Sequence, residues 1–232
     1  MPVYQLDEGL WFPKPKYGEP DGLLAVGGDL SVNRLLLAYS HGIFPWYAYQ
    51  LYDEPHWYCP MDRFVIFPKE IHISHSMKQL MRQGKYHITI DHDFEGVIKG
   101  CSKADCRNTD MGAWLGPQMI NAYTQLHKMG IAHSVEVWEA KETENNTSIP
   151  LRLVGGLYGI DLNGAFFGES MFSLVPSASK LALIHLAQHL EKKGYSFIDC
   201  QFETPHLLSM GGRHIPYEEY MAILNANAHK KE

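Results

Sequence analysis

The sequence predicts an α+β fold in which antiparallel strands are flanked by helices. Two kinds of hydrophobic spacing and their order along the chain predict it. Several segments carry apolar residues three and four apart, open on Ser, Asp or Pro and close on Gly, which marks capped amphipathic helices. Others alternate apolar with polar residues, or run apolar for a few positions between turn residues, which marks strands. In the second half these segments follow one another as helix, strands, helix, strand, helix. With 232 residues, 45% of them hydrophobic, the chain can bury the core of one large domain or two small ones.

The first part is rich in rings and prolines (Trp11, Phe12, Pro13, Pro15, Tyr17, Pro20) and reads as an irregular segment that packs by its rings. Ser31 is placed to cap a helix over 32–40 that Gly42 ends. Phe44-Pro45-Trp46-Tyr47 reads as a rigid aromatic loop. Ser74 caps a second helix ending at Gly84, Tyr86, Ile88 and Ile90 have strand spacing, and Asp93 caps a further short helix. A helix is expected over 117–129, stopped by Gly130. Strands follow at 133–139, 151–161 and 165–172, the first two joined by the polar run 141–148. Ser177 is read as the cap of a helix that buries Leu183, Leu186, Ala187 and Leu190 and closes at Gly194. A buried strand is read at 196–201, and Pro216 as the start of a last helix with Tyr220, Ile223 and Leu224 inward. This order suggests a sheet of the N-acetyltransferase type. The domain break is placed near Gly112. Residues 1–111 would then form a small N-terminal α/β domain, and 112–232 an acetyltransferase-like domain.

A formal net charge of -6 counts against a wide phosphate-gripping face, though not against a local basic patch. The N-terminus lacks a basic stretch followed by an apolar one, and no apolar run approaches the roughly 18 residues of a membrane span. A cytoplasmic protein with reduced Cys59, Cys101, Cys106 and Cys200 is therefore expected.

Asp199-Cys200-Gln201 ends a strand, where a rigid sheet presents side chains to a turn. Strand alternation puts Asp199 and Gln201 on one face, as a carboxylate and an amide fit to handle an amine; the bland reading is a solvated polar pair. Glu169 lies inside the apolar run 166–172. A carboxylate there faces solvent or lines a pocket that receives a cation. Alternation groups Phe167, Glu169 and Met171 on one face and Phe166, Gly168 and Ser170 on the other. Trp46, Trp57, Tyr58 and Trp114 are candidates for stacking on a base, against the commoner role of filling a core. Gly27-Gly28 and Gly155-Gly156 lack the continuation of a phosphate loop and read as turn and close-packing glycines. His185 and His189 stand one helical turn apart without the Glu of a zinc-protease motif, and Cys101 and Cys106 lack a second pair. No metal is assigned to either.

Several segments in order resemble one family, the leucyl/phenylalanyl-tRNA–protein transferases, over about residues 4–225. They are Gly22-Leu23-Leu24-Ala25-Val26-Gly27-Gly28-Asp29, Gly42-Ile43-Phe44-Pro45-Trp46, Trp57-Tyr58-Cys59-Pro60, His133-Ser134-Val135-Glu136-Val137-Trp138, Gly168-Glu169-Ser170-Met171-Phe172-Ser173, Ala178-Ser179-Lys180 and Ile198-Asp199-Cys200-Gln201. Each is weak alone; their order and spacing make them specific. The resemblance implies a small N-terminal domain and an acetyltransferase-like catalytic domain. It implies transfer of Leu, Phe or Met from aminoacyl-tRNA to proteins that begin with Arg or Lys, marking them for degradation. It implies catalytic roles for Asp199, Gln201 and Glu169, and places Trp46, Trp114, Phe166 and Ser179 near the aminoacyl-adenosine end. Two departures stand out: Ala113-Trp114-Leu115 where the family has Thr-Trp-Ile, and Ile215-Pro216-Tyr217 without an arginine often found there.

In that picture Asp199 orients Gln201, which contacts the attacking amine, and Glu169 binds positive charge. Met171, Phe172 and the Phe166 ring would form an apolar pocket admitting Leu, Phe and Met and excluding Ile and Val by shape. No coenzyme or metal is required. An acyl-CoA acetyltransferase is the rival on the same fold, but the connection 174–179 has no glycine for a pyrophosphate loop. A noncatalytic adaptor for tRNA or N-terminal peptides is the rival of another class.

Overall fold

The computed structural model describes residues 3–47, 54–108, 115–140 and 151–228. Its strands are β1 (Tyr4–Leu6), β2 (Leu23–Gly27), β3 (Phe44–Trp46), β4 (His56–Tyr58), β5 (Asp62–Ile66), β6 (Tyr86–Ile90), β7 (Ala132–Ala140), β8 (Leu151–Leu162), β9 (Ala165–Ser173), β10 (Ile198–Asp199) and β11 (Arg213–Pro216). Its α-helices are α1 (Val32–Ser40), α2 (His75–Arg82), α3 (Phe94–Asn108), α4 (Pro117–Lys128), α5 (Ala178–Lys192), α6 (Pro205–Ser209) and α7 (Tyr217–Ala228). Among the described residues the strands form two sheets, one ordered β1-β2-β4-β3 and a larger one ordered β11-β5-β10-β9-β8-β7-β6. The α+β class is borne out.

The small sheet comes from the segment read as irregular. Its strands are three to five residues long, too short for alternation to show. Phe44-Pro45-Trp46 is not a loop but a strand paired with His56–Tyr58. Pro45 is accommodated because β3 is an edge strand. The rings do pack: Phe12 meets Trp57 edge-on at 4.9 Å. Gly27 and Gly28 make the turn out of β2 at φ 85° and 70°, conformations that cost other residues energy.

The larger sheet draws β5 and β6 from before residue 112, so its strands come from both sides of the division placed there. Ser31 and Ser74 cap α1 and α2 as read, accepting from the amides of Arg34 and Met77. Ser177 does not cap α5. It sits at φ 70° with no capping bond, and Ser173 Oγ accepts from the Ser179 amide at 2.8 Å instead. Pro216 ends β11, and α7 begins at Tyr217, with Tyr220 and Leu224 buried. Between them β5, β9 and β10 carry the candidate site. β10 pairs antiparallel with β5 and parallel with β9, joined to β9 through α5. No helix among the described residues is long and apolar enough to cross a membrane.

Candidate active site

The site lies where β9 and β10 part. The two strands pair only through Ile198 with Phe166 and Asp199 with Phe167. Beyond that point each departs from regular geometry. On β9 the register against β8 shifts between Gly159–Gly168 and Tyr158–Ser170, leaving Glu169 as the extra residue of a β-bulge. On β10 the chain turns at Gln201, whose φ is 62°. The fork therefore exposes a carboxylate on one prong and an amide on the other, and Gln201 Nε2 donates to Glu169 Oε1 at 3.1 Å across it.

The bulge overturns the alternation read for β9. Phe167 and Phe172 pack in one hydrophobic cluster, whereas Phe166 and Met171 pack in the other, on the α5 side. Met171 thus faces opposite to Phe167, because one inserted residue reverses every side chain beyond it. Gln201 is likewise not placed by strand alternation, since β10 ends at Asp199.

Asp199 is fully buried and receives five contacts from four donors. Arg63 Nε reaches Oδ1 at 2.9 Å and Oδ2 at 3.1 Å, and Arg63 Nη2 reaches Oδ2 at 2.7 Å. Tyr220 donates its hydroxyl to Oδ2 at 2.8 Å, and the Gln201 amide donates to Oδ1 at 2.9 Å. Asp199 pairs with Val65 in the antiparallel register, so Arg63, two residues along β5, lies diagonally across on the same face. The Arg63 guanidinium is also fully buried, 4.8 Å from the Phe44 ring centroid and 5.0 Å from that of Tyr220. Burial acts to lower the Arg63 pKa, but Asp199, with the Tyr220 hydroxyl and the Cys59 thiol, holds it above its ordinary range.

Glu169 has a different environment. Oε2 accepts the Tyr123 hydroxyl at 2.7 Å, and Tyr123 and Tyr39 share a hydrogen bond of 2.6 Å. Burial pushes the Glu169 carboxyl up to about 7, against the lowering effect of the tyrosine hydrogen bonds. Burial and the Glu169 charge hold both tyrosines well above their ordinary range, so they remain donors.

Beside the fork is a cavity of about 310 Å³ with apolar walls from Leu157, Met171, Leu183, Leu186, Ile198 and Leu207. Glu169, Ser170, Gln201, Thr204 and His206 supply its polar edge. This volume lies at the small end of ligand pockets, which run from roughly 300 Å³.

The predicted residues divide accordingly. Glu169, Gln201 and Met171 meet at the cavity, and Asp199 sits immediately behind Gln201. Phe166 is 2% exposed in the core beneath α5, and Phe172 is buried on the opposite face against Gly100; neither lines the cavity. Trp46 packs against Tyr58 and against Phe202, the residue after Gln201. Ser179 is in the first turn of α5. Trp114 and Ala113 lie outside the described residues, as do 141–148. The sequence does not mark Arg63, Tyr39, Tyr123 and Tyr220 as site residues. Arg63 heads the apolar run Phe64-Val65-Ile66, the same signal that marked Glu169. Among the described residues no group of three His, Cys, Asp or Glu is arranged to hold a metal.

A carboxylate and an amide at the edge of an apolar cavity equip a protein to hold a cationic group beside a large apolar one. Residues 65–225 match the family model described as leucyl/phenylalanyl-tRNA protein transferase, and residues 28–61 match that of the same family's N-terminal domain. Curated relatives bearing the name leucyl/phenylalanyl-tRNA–protein transferase include one from Thermodesulfovibrio yellowstonii, 45% identical over 231 residues, 100% of this chain and 89% of that protein. Another, from Nitrosomonas eutropha, is 48% identical over 206 residues, 89% of this chain and 82% of that protein. A third, from Syntrophotalea carbinolica, is 46% identical over 231 residues, 99% and 94% of the two chains. The chain belongs to the leucyl/phenylalanyl-tRNA protein transferase family.

Proposed function

We propose that this protein transfers Leu, Phe or Met from the 3′ end of aminoacyl-tRNA to the N-terminal Arg or Lys of acceptor proteins, in the cytoplasm, marking them for degradation. The observation that carries the reading is the Glu169–Gln201 bridge across the fork, with the apolar cavity beside it. The donor side chain fills the cavity, where Met171 and the leucines favour an unbranched Cβ by shape. The acceptor enters at the polar edge with its α-ammonium and its basic side chain, and Glu169 and Gln201 receive that charge.

The reaction asks little beyond positioning. An α-amine has a pKa near 8 and is partly neutral at cytoplasmic pH. Held against the ester carbonyl, its nitrogen forms the C–N bond as the C–O bond to the ribose breaks, and the ribose oxygen takes up a proton. Gln201 orients the amine, and Asp199 fixes Gln201 through its backbone amide. The larger sheet is read as acetyltransferase-like, a reading supported by the parting of two adjacent parallel strands beside the helix that joins them. The rings of Trp46 and Trp114 and the start of α5 at Ser179 are assigned to the adenosine end of the donor. Phe166 acts from beneath the cavity, packed with Leu157 and Met171.

Side-by-side kinetics with Arg- and Glu-headed peptides, each with leucyl- and valyl-tRNA, test the division between charge and shape. The Arg peptide and leucyl-tRNA should be preferred independently, because an N-terminal Glu brings like charge against Glu169. Equal use of both peptides removes the electrostatic half of the proposal.

A further inference from the structure

We infer that Arg63 is a positioning residue that commits Asp199 to holding Gln201, and that Glu169 is the carboxylate that takes the proton from the incoming amine. This deepens the proposed transfer reaction and rests on it.

The geometry separates two carboxylates that sequence alone would treat as a pair. Asp199 is 0% exposed, and both its oxygens are occupied: Oδ1 by Arg63 Nε and the Gln201 amide, Oδ2 by Arg63 Nη2 and the Tyr220 hydroxyl. It does not line the cavity. For Asp199 to accept a substrate proton, Arg63 or Tyr220 would have to let go of a buried anion. Its contact with Gln201 is to the backbone, at the residue with φ of 62°. A non-glycine residue is held in that conformation only when its surroundings over-determine it. The Arg63–Asp199–Tyr220 clamp is such a surrounding, and it aims the Gln201 amide across the fork.

Glu169 does line the cavity, with Gln201 Nε2 on Oε1 and Tyr123 on Oε2, and Tyr39 beside them. The groups around it are Tyr123 of α4, Tyr39 of α1, Tyr158 of β8, Arg63 of β5, Asp199 of β10, and Gln201, Cys200 and His206 along the cavity. Burial holds His206 below its ordinary range. Burial likewise pushes Glu169 up to about 7, close to the pKa near 8 of an α-ammonium, so a proton moves between them at little cost. In the step, Glu169 removes one proton from the ammonium and the freed nitrogen attacks the ester carbon. The C–O bond breaks, a second proton passes from nitrogen to the ribose oxygen, and Glu169 releases its proton to water. The sum is ammonium plus ester giving amide, ribose hydroxyl and one proton.

Two measurements on the full chain test the inference. The first is the pH profile of kcat/KM for an Arg-headed peptide with leucyl-tRNA. Wild type should show an ascending limb near pH 7 that stays in place when the acceptor's amine is changed for one of lower pKa. Glu169→Gln should lose the limb. Arg63→Lys and Tyr220→Phe should lower kcat, by about tenfold for Arg63→Lys, and keep the limb where it was. The second follows Glu carboxyl carbons by 13C NMR without substrate, where a signal titrating near pH 7 should vanish in Glu169→Gln. The NMR needs no turnover, so the Glu169 assignment is tested even if the transfer reading fails. Wild type that transfers nothing refutes that reading. Transfer with the limb surviving in Glu169→Gln overturns the role of Glu169, as does the lack of a Glu signal near 7. Unchanged kcat in folded Arg63→Lys and Tyr220→Phe overturns the positioning role of Arg63.

Discussion

Two acids in one site, Asp199 fully buried and Glu169 half-buried at the cavity edge, respond to pH and mutation in different ways because their partners differ. Glu169 is raised from 4.5 to about 7 by burial. A group whose folded pKa exceeds its unfolded value contributes stability that is complete below the unfolded pKa and lost as pH rises through the folded one. Between pH 4.5 and 7 the protein should lose on the order of 3 kcal/mol from this group alone. Denaturant unfolding at pH 5 and pH 8 should therefore show a smaller pH dependence in Glu169→Gln than in wild type; an identical dependence would refute the assignment. Asp199→Asn acts through Arg63. It leaves a buried guanidinium without its counter-ion, a change that costs about 3–5 kcal/mol when a buried pair is broken. It should also cut transfer at least about tenfold, equivalent to about 1.4 kcal/mol of transition-state stabilisation. Turnover and unfolding free energy measured on the same preparation check both, and normal turnover in a folded variant would exclude the role given to Asp199.

At the scale of elements, the fork between β9 and β10 makes the site, and close packing around β8 and β9 keeps it rigid. Gly155 shows how tightly: a Cβ there would lie 2.5 Å from that of Ala178 at the start of α5. Gly155→Ala should destabilise the fold by about 1–3 kcal/mol through overpacking. A thermal melt reads this, and an unchanged midpoint would mean that α5 shifts freely. Gly155-Gly156 is legible in the sequence as a close-packing pair; α1, α2 and strands β6 to β9 are legible too, because long periodic segments carry their pattern in the residues themselves. The small sheet was not legible, since three-residue strands such as β3 and β4 contain no full period. Nor was the bulge at Glu169: an inserted residue changes register without changing composition, and it placed Met171 on the opposite face from the one alternation gave. Asp199, Gln201 and Glu169 stood out by chemical type. Arg63 and Tyr220 did not, because their pairing with Asp199 spans 136 and 21 residues of sequence.

Over the whole molecule, a net charge of -6 limits how the tRNA body is held. Of the cations available to a basic patch, Lys69, Lys78, Arg82, Lys85 and Lys180, Lys85 is already engaged, 2.9 Å from Glu139. Recognition should thus rest on the aminoacyl-adenosine end, with few phosphate contacts and a shallow dependence of affinity on salt. Titrations of charged tRNA between low and moderate salt measure this, and a log–log slope near −7, about eight contacts, would contradict it. The central claim, that this fold moves an aminoacyl group from tRNA to a protein N-terminus, is tested most directly by mass. The protein is incubated with leucyl-tRNA and a peptide headed by Arg, and the peptide is weighed. One leucyl residue should be added at the N-terminus, dependent on the protein and much reduced in Asp199→Asn. An Arg peptide of unchanged mass, in the presence of folded protein and intact leucyl-tRNA, would contradict it.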